Sequence, residues 1–94
     1  SHVAYFWSKH LFSVLTAMTA LQFAPSITVN GISPGLILPP PGANENHVDL
    51  LAEKVPLKRQ GSPRDVTGAV IYLLKSNYVT GHVVQVDGGQ HLVE

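Results

Sequence analysis

Ile27-Thr28-Val29-Asn30-Gly31-Ile32-Ser33-Pro34-Gly35 decides the fold. Ile27 and Val29 alternate with Thr28 and Asn30, Ile32 follows Gly31, and Ser33-Pro34-Gly35 is a turn signal, so the segment reads as a strand over Ile27–Ser33. A second short apolar strand, Val83, Val84 and Val86, is closed by Asp87-Gly88-Gly89. Between them Val66, Ala69, Val70, Leu73 and Leu74 repeat at i, i+3, i+4, i+7 and i+8, the pattern of an amphipathic helix. Ser62 suits its N-cap, Pro63 its first helical position and Asp65 its first turn. The helix is expected to end near Lys75, with Asn77 as a left-handed stop. Short apolar strands joined through a helix belong to a parallel sheet with both faces covered.

Working back toward the start, Val3 to Ala24 forms a long helix that Pro25 stops. Leu11, Val14, Leu15, Met18 and Leu21 share one face, Ser13, Ala17, Ala20 and Ala24 make a face of small residues, and Phe12 and Phe23 lie on a third. A helix apolar nearly all round is expected to be buried nearly all round, with the small face admitting another backbone. Two strands do not make a sheet of independent stability. The fold class is therefore α/β: residues 1–94 read as the C-terminal part of a doubly wound, parallel-sheet protein. The remaining strands are expected from a segment upstream of Ser1.

Composition narrows the function. The 94 residues carry six Lys+Arg and six Asp+Glu, a formal net charge of +0. This disfavours a nucleic-acid partner or a membrane surface. Charged residues are 13% against 45% hydrophobic, few for a small soluble domain, so much of the surface is expected to lie against something else. With Cys 0, disulfides, thiol nucleophiles and Cys-based metal sites are excluded. Leu11 to Pro25 is too short to span a bilayer.

The chemistry centres on Tyr5 and Lys9, four apart at the start of the long helix and hence on one face. A phenol with a pKa of about 10 is a poor proton shuttle near neutral pH. An ammonium about 4 Å away favours its anion by about 4 kcal/mol at an effective dielectric of 20, enough to make the hydroxyl a usable general acid at a carbonyl or imine under reduction. The spacing by itself is shared with ordinary surface contacts.

Four motifs occur in order: Tyr5-Phe6-Trp7-Ser8-Lys9, Val29-Asn30-Gly31-Ile32-Ser33-Pro34-Gly35, Tyr78-Val79-Thr80-Gly81 and Val86-Asp87-Gly88-Gly89. Together they resemble the C-terminal half of a short-chain dehydrogenase/reductase, with its YxxxK helix, VNxxxPG turn and TG…DGG ending. The resemblance implies that Tyr5 is the proton donor or acceptor, and that Lys9 lowers its pKa and binds the nicotinamide ribose of NADP or NAD. It implies that Pro34 and Gly35 let the backbone approach the nicotinamide, and that Leu36 and Ile37 offer main-chain groups to its carboxamide. Leu38 would wall the substrate cleft, and Trp7 is packing or a cleft wall. Many members place a Thr where this chain has Pro39, so a side-chain hydroxyl is lost there. The resemblance also implies a Rossmann-type domain, whose N-terminal cofactor-binding half, with the Gly-rich phosphate turn and the catalytic Ser, lies upstream of Ser1. Pro34 to Leu38, Lys54 to Leu57 and Asp87 to Leu92 look most like the pteridine reductase and dihydromonapterin reductase branch. The alternatives are a 3-oxoacyl or other carbonyl reductase, and a non-catalytic member acting as a binding or structural subunit. Enoyl reductases of the family space Tyr and Lys more widely. The resemblance further implies a small-molecule substrate, a homodimer or homotetramer paired through the first helix, and a cytoplasmic protein.

The remaining polar residues have plainer readings. His2, His10, His47, His82 and His91 lack metal-ligand spacing, so no metal is expected. Gly88-Gly89 reads as a strand-ending turn and Lys58 and Arg59 as solvated loop charges, with an anion of cofactor or substrate as the alternative. Leu36 to Lys54, stiffened by Pro39-Pro40-Pro41, is expected to carry a short helix from Asn44 to Lys54 and to border the substrate cleft as a lid.

Overall fold

The computed structural model describes the backbone of residues 2–35 and 52–93, and the side chains of 9–35 and 52–93. Helix α1 spans His2–Phe23, strand β1 Gly31–Pro34, helix α2 Pro63–Lys75 and strand β2 Val83–Val86, and a 3₁₀ turn follows at Gln90–Leu92. The two strands pair in parallel, with Gly31 opposite Val83 and Pro34 opposite Val86. The ladder continues one step at each end: Gly31 N donates to His82 O at 2.9 Å and Gly35 N to Val86 O at 3.0 Å.

The paired part of the first strand is shorter than its alternating pattern suggests. Ile27 to Asn30 approach the second strand through side chains instead of a ladder. The Asn30 amide donates to Val79 O and accepts from His82 N, each at 3.0 Å, and Val29 N donates to Thr80 Oγ1 at 3.0 Å. Gly81 N closes this clamp by donating to Val29 O at 2.7 Å. Gly81 has φ +77, a conformation that favours glycine.

Pro25 ends α1 as expected; Ser26 N and Ile27 N both return to Phe23 O at 3.0 Å. The small face does admit backbone: a Cβ on Gly81 would stand 3.5 Å from Ala20 Cβ and 3.9 Å from Ala17 Cα. One step further along the sheet, a Cβ on Gly31 would meet the Phe12 ring at 2.7 Å. These contacts orient α1. Toward its C-terminus it meets Gly81, before β2 begins, and toward its N-terminus it meets Gly31, so α1 runs antiparallel to both strands.

Helix α2 starts as its sequence indicates. Asp65 accepts from Ser62 N at 2.8 Å and from the Ser62 hydroxyl at 3.3 Å, the carboxylate half of a capping box. Its half-buried stripe is Val66, Ala69 and Leu73, whereas Val70 and Leu74, expected on the same face, are exposed. The stop differs too. Ser76, not Asn77, caps the helix, in extended conformation at φ −90, ψ 126. Its hydroxyl donates to Tyr72 O at 2.7 Å, and Asn77 has no positive φ. A serine that satisfies the last-turn carbonyl removes the need for a left-handed residue.

The expected lid and short helix lie almost wholly outside the described residues; Ala52 and Glu53 are the described helical end of it. Among the described residues no helix is long and apolar enough to cross a membrane, and no cluster of three His, Cys, Asp or Glu could hold a metal.

Burial is sparse. Only Ala20, Ala52 and Val55 are buried apolar residues among those described, while the face expected to be covered is open, with Leu15 51%, Met18 60% and Leu21 80% exposed. Each large apolar side chain left in water forgoes about 1.5–3 kcal/mol. Residues 1–94 produced by themselves should therefore self-associate and bind a hydrophobic dye. A monodisperse monomer with a cooperative melt, measured by light scattering and calorimetry, would show that this surface needs no cover.

Candidate active site

Tyr5 and Lys9 both lie in the first turns of α1. Their level relative to the strands follows from helix and strand rises. Phe12 and Thr16 stand at Gly31. Along the helix axis Lys9 is about 4 Å from Phe12 and about 10 Å from Thr16, and Tyr5 about 10 Å and about 16 Å. From Gly31 forward to Gly35 is about 13 Å along the strand. Because α1 is antiparallel to β1, Lys9 and then Tyr5 lie toward the end of the sheet that carries the Pro34-Gly35 turn, with the Tyr5 backbone near the level of that turn. This is the carboxyl end of the parallel strands, where open α/β sheets bind ligands. The Lys9 side chain is half-buried. The side chains of Tyr5 and Trp7, and all of Leu36, Ile37 and Leu38, lie outside what the structure describes.

Pro34 is the exposed last residue of β1, and Gly35 is half-buried behind it. Gly35 is required by space. A Cβ there would fall 2.6 Å from Asp87 Cβ, 2.8 Å from Asp87 Cα and 3.0 Å from Gln90 Oε1. Two of these are atoms at or next to the main chain, which cannot swing aside.

Asp87 is the electrostatic centre of this end of the molecule. It is buried, yet follows β2 directly. Its carboxylate accepts from Gly89 N at 3.0 Å, from His91 N at 2.9 Å and from His91 Nδ1 at 2.8 Å. Burial pushes its pKa up. The hydrogen bonds from the His91 ring, His91 N and Gly89 N outweigh burial and hold it below 3.8. Gly88 and Gly89 supply the turn with φ +63 and +91. This confirms Gly88-Gly89 as a strand-ending turn. The sequence reading missed the Asp87–His91 pair, which the i, i+4 spacing of a carboxylate and an imidazole across Gly-Gly could have flagged.

A cleft of about 310 Å³ opens beside this turn, lined by Leu57, Arg59, Asp65, Gln85 and Asp87 among others. Arg59 reaches Asp65 at 3.7 Å across its rim, with both side chains substantially exposed. An exposed pair of this kind contributes little to stability. Asp65 is held below 3.8, chiefly by its hydrogen bond from Ser62 N.

The depressed pKa of Asp87 fixes the sign of a pH effect. Its stabilising contribution is fully present above 3.8, the unfolded value, and is lost as pH falls through the lower folded value. Asp87→Asn in the native polypeptide should lower the melting temperature at pH 7, and the gap to the parent should narrow as pH drops below about 3.8. A gap independent of pH would contradict the assignment.

Comparison with known proteins places the chain. A family model described as enoyl-(acyl carrier protein) reductase matches residues 1–91. A granaticin polyketide synthase ketoacyl reductase from Streptomyces violaceoruber is 42% identical over 82 residues, covering 83% of this chain and 33% of that protein. The dihydromonapterin reductase of Klebsiella pneumoniae is 34% identical over 91 residues, covering 97% of this chain and 38% of that protein. Among solved structures, the FolM alternative dihydrofolate reductase 1 of Brucella suis, crystallised with NADP, superposes with a TM-score of 0.84 at 32% identity, over 96% of this chain and 36% of that one. The chain thus spans about a third of the length of these relatives. With its parallel α/β frame, its ordered motifs and these matches, the chain belongs to the short-chain dehydrogenase/reductase family.

Proposed function

We propose that residues 1–94 supply the proton-donating part of an NADP- or NAD-dependent reductase acting on a carbonyl or imine, with a reduced pteridine as the favoured substrate class. The observation that carries this reading is that the α1 turn bearing Tyr5 and Lys9 lies toward the carboxyl end of the strands, the end that carries the Pro34-Gly35 turn. The donor set suits a nicotinamide nucleotide: an ammonium and a phenol for a ribose, at the carboxyl end of a parallel pair of strands. The bound dinucleotide supplies a hydride to the carbon of the C=O or C=N bond. Tyr5 hydrogen-bonds the oxygen or nitrogen of that bond and gives it the hydroxyl proton as the charge develops. Lys9 stabilises the resulting phenolate and holds the ribose, and solvent returns the proton. Leu36, Ile37, Leu38 and Trp7 keep the cofactor and cleft roles that the family pattern implies.

NADP is favoured over NAD by the NADP in the Brucella structure. The pteridine reading is supported by relatives named dihydromonapterin reductase that align over 97% of this chain. The 42% identity to a ketoacyl reductase favours a second reading, a 3-oxoacyl reductase. The four-residue Tyr5 to Lys9 spacing favours either over an enoyl reductase, whatever the description of the matching family model. The upstream half of the same protein and a second copy of it are the partners this reading assigns to the exposed face of α1.

The test is made on the native polypeptide that contains this segment. Oxidation of NADPH should be faster with a dihydropteridine than with a 3-oxoacyl thioester; the reverse order would select the second reading. Tyr5→Phe should lower kcat by at least about a hundredfold, the scale of general acid catalysis, with cofactor affinity nearly unchanged. Lys9→Ala should weaken both. Near-parental turnover in Tyr5→Phe would overturn the catalytic assignment.

A further inference from the structure

Gly35 and the turn at Val55–Leu57 lie twenty residues apart and rest on one small body, the turn from Asp87 to His91. Gly35 N donates to Val86 O at 3.0 Å, and its α-carbon sits so close to Asp87 that no Cβ fits. Leu57 N donates to Gly88 O at 3.0 Å. A Cβ on Gly88 would meet Val55 Cγ1 at 2.7 Å, and one on Gly89 would meet Pro56 Cγ at 3.0 Å. What shapes this body is the Asp87 carboxylate. It draws in Gly89 N, His91 N and His91 Nδ1 together, and Gln90 N donates to Asp87 O at 3.0 Å.

The His91 ring is an unusual member of this set. Its side chain is 37% exposed, against 4% for Asp87, so it adds little to a core. Its Nδ1 lies 2.8 Å from Asp87 Oδ2, the oxygen that also accepts from His91 N. A shift of the backbone at Asp87 reaches Gly35 through its neighbours, because Gly35 N is bonded to Val86 O, next to Asp87, and the space beside the Gly35 α-carbon is taken by Asp87.

We propose that His91 is a positioning residue: through its hydrogen bond to Asp87 it sets the place of Gly35, and thereby the affinity of the site for the nicotinamide dinucleotide. This rests on the reading of Pro34-Gly35 as the turn that meets the nicotinamide. It predicts an effect on cofactor binding without an effect on the proton-transfer step, since the hydrogen bonds of His91 go to Asp87, behind Gly35, and not to α1.

The experiment compares His91→Ala and His91→Asn with the parent in the native full-length protein. It measures NADPH affinity by fluorescence titration, steady-state kcat and KM, and melting temperature without cofactor. His91→Ala loses one hydrogen bond to a charged acceptor, so NADPH affinity and KM for NADPH should worsen by about three- to tenfold, with kcat within about twofold. His91→Asn, whose amide can donate to Asp87 in the place of Nδ1, should recover most of the loss. A purely structural role would lower the melting temperature of His91→Ala and leave NADPH affinity as in the parent, and that result overturns the proposal. Loss in both variants without rescue overturns it as well. Tyr5→Phe separates the two levels of argument. If it abolishes turnover while His91→Ala binds NADPH normally, the positioning role fails and the reductase reading stands. A parent protein that binds no dinucleotide overturns both.

Discussion

Four residues of parallel ladder carry the rest of this structure. Gly31–Pro34 and Val83–Val86 are separated by about fifty positions, and their pairing brings Gly35 and Asp87 together. The pairing is too short to hold by backbone hydrogen bonds alone, which contribute about 1 kcal/mol each. It is locked at its amino end by side chains: the Asn30 amide bridges Val79 and His82, and Thr80 takes the Val29 amide. An asparagine in this place satisfies two backbone groups with one side chain, where a register slip would strand both. At the carboxyl end Gly35 N donates to Val86 O at 3.0 Å, and Asp87 occupies the space that a Cβ at position 35 would need. Register is therefore held by hydrogen bonds at both ends, and the carboxyl end also requires a glycine.

The apolar surface tells a complementary story. A chain with three buried apolar residues among those described, and with Leu15, Met18 and Leu21 largely exposed, does not gain enough from burial to offset the entropy of ordering its backbone. Its helices are laid out as if another layer were present. Ala17 and Ala20 of α1 lie against Gly81, with Ala20 buried, while the large residues Leu15, Met18 and Leu21 are open to solvent. One helix thus carries two interfaces of opposite texture. Small residues bring backbone close, and large residues fill a space outside the described structure.

Much of this was legible in the sequence because local chemistry and global fold agree. Ser62-Pro63 with Asp65 marks the start of α2, and the same residues form its cap in the structure. Pro25 stops α1, and Val83–Val86 is a strand. The misreadings came where a side chain replaced the expected backbone device. Ser76 took the role assigned to Asn77 by bonding Tyr72 O, and Asn30 and Thr80 took the place of a longer ladder. Val70 and Leu74 were placed on the covered stripe of α2 because periodicity gives a face but not its width. For the site, spacing identified Tyr5 and Lys9 as sharing a face. Their place toward the Gly35 end of the sheet needed the contacts at Gly31 and Gly81, which pattern alone does not provide.

The Asp87–His91 pair stayed hidden in the sequence for a physical reason. Asp-Gly-Gly is a common way to leave a strand, so nothing in the composition of the turn distinguishes an exposed aspartate from a buried one. Burial decides its role. An unpaired carboxylate removed from water is costly, and this one is tolerated because three donors converge on it within four residues. Two of those donors are main-chain groups freed by the left-handed glycines, and the third is a ring that reaches back from the next turn. The charge therefore dictates the conformation of everything from Asp87 to His91. Gly35 has no side chain with which to resist that conformation, so the surface it offers at the carboxyl end of β1 is shaped by the aspartate behind it.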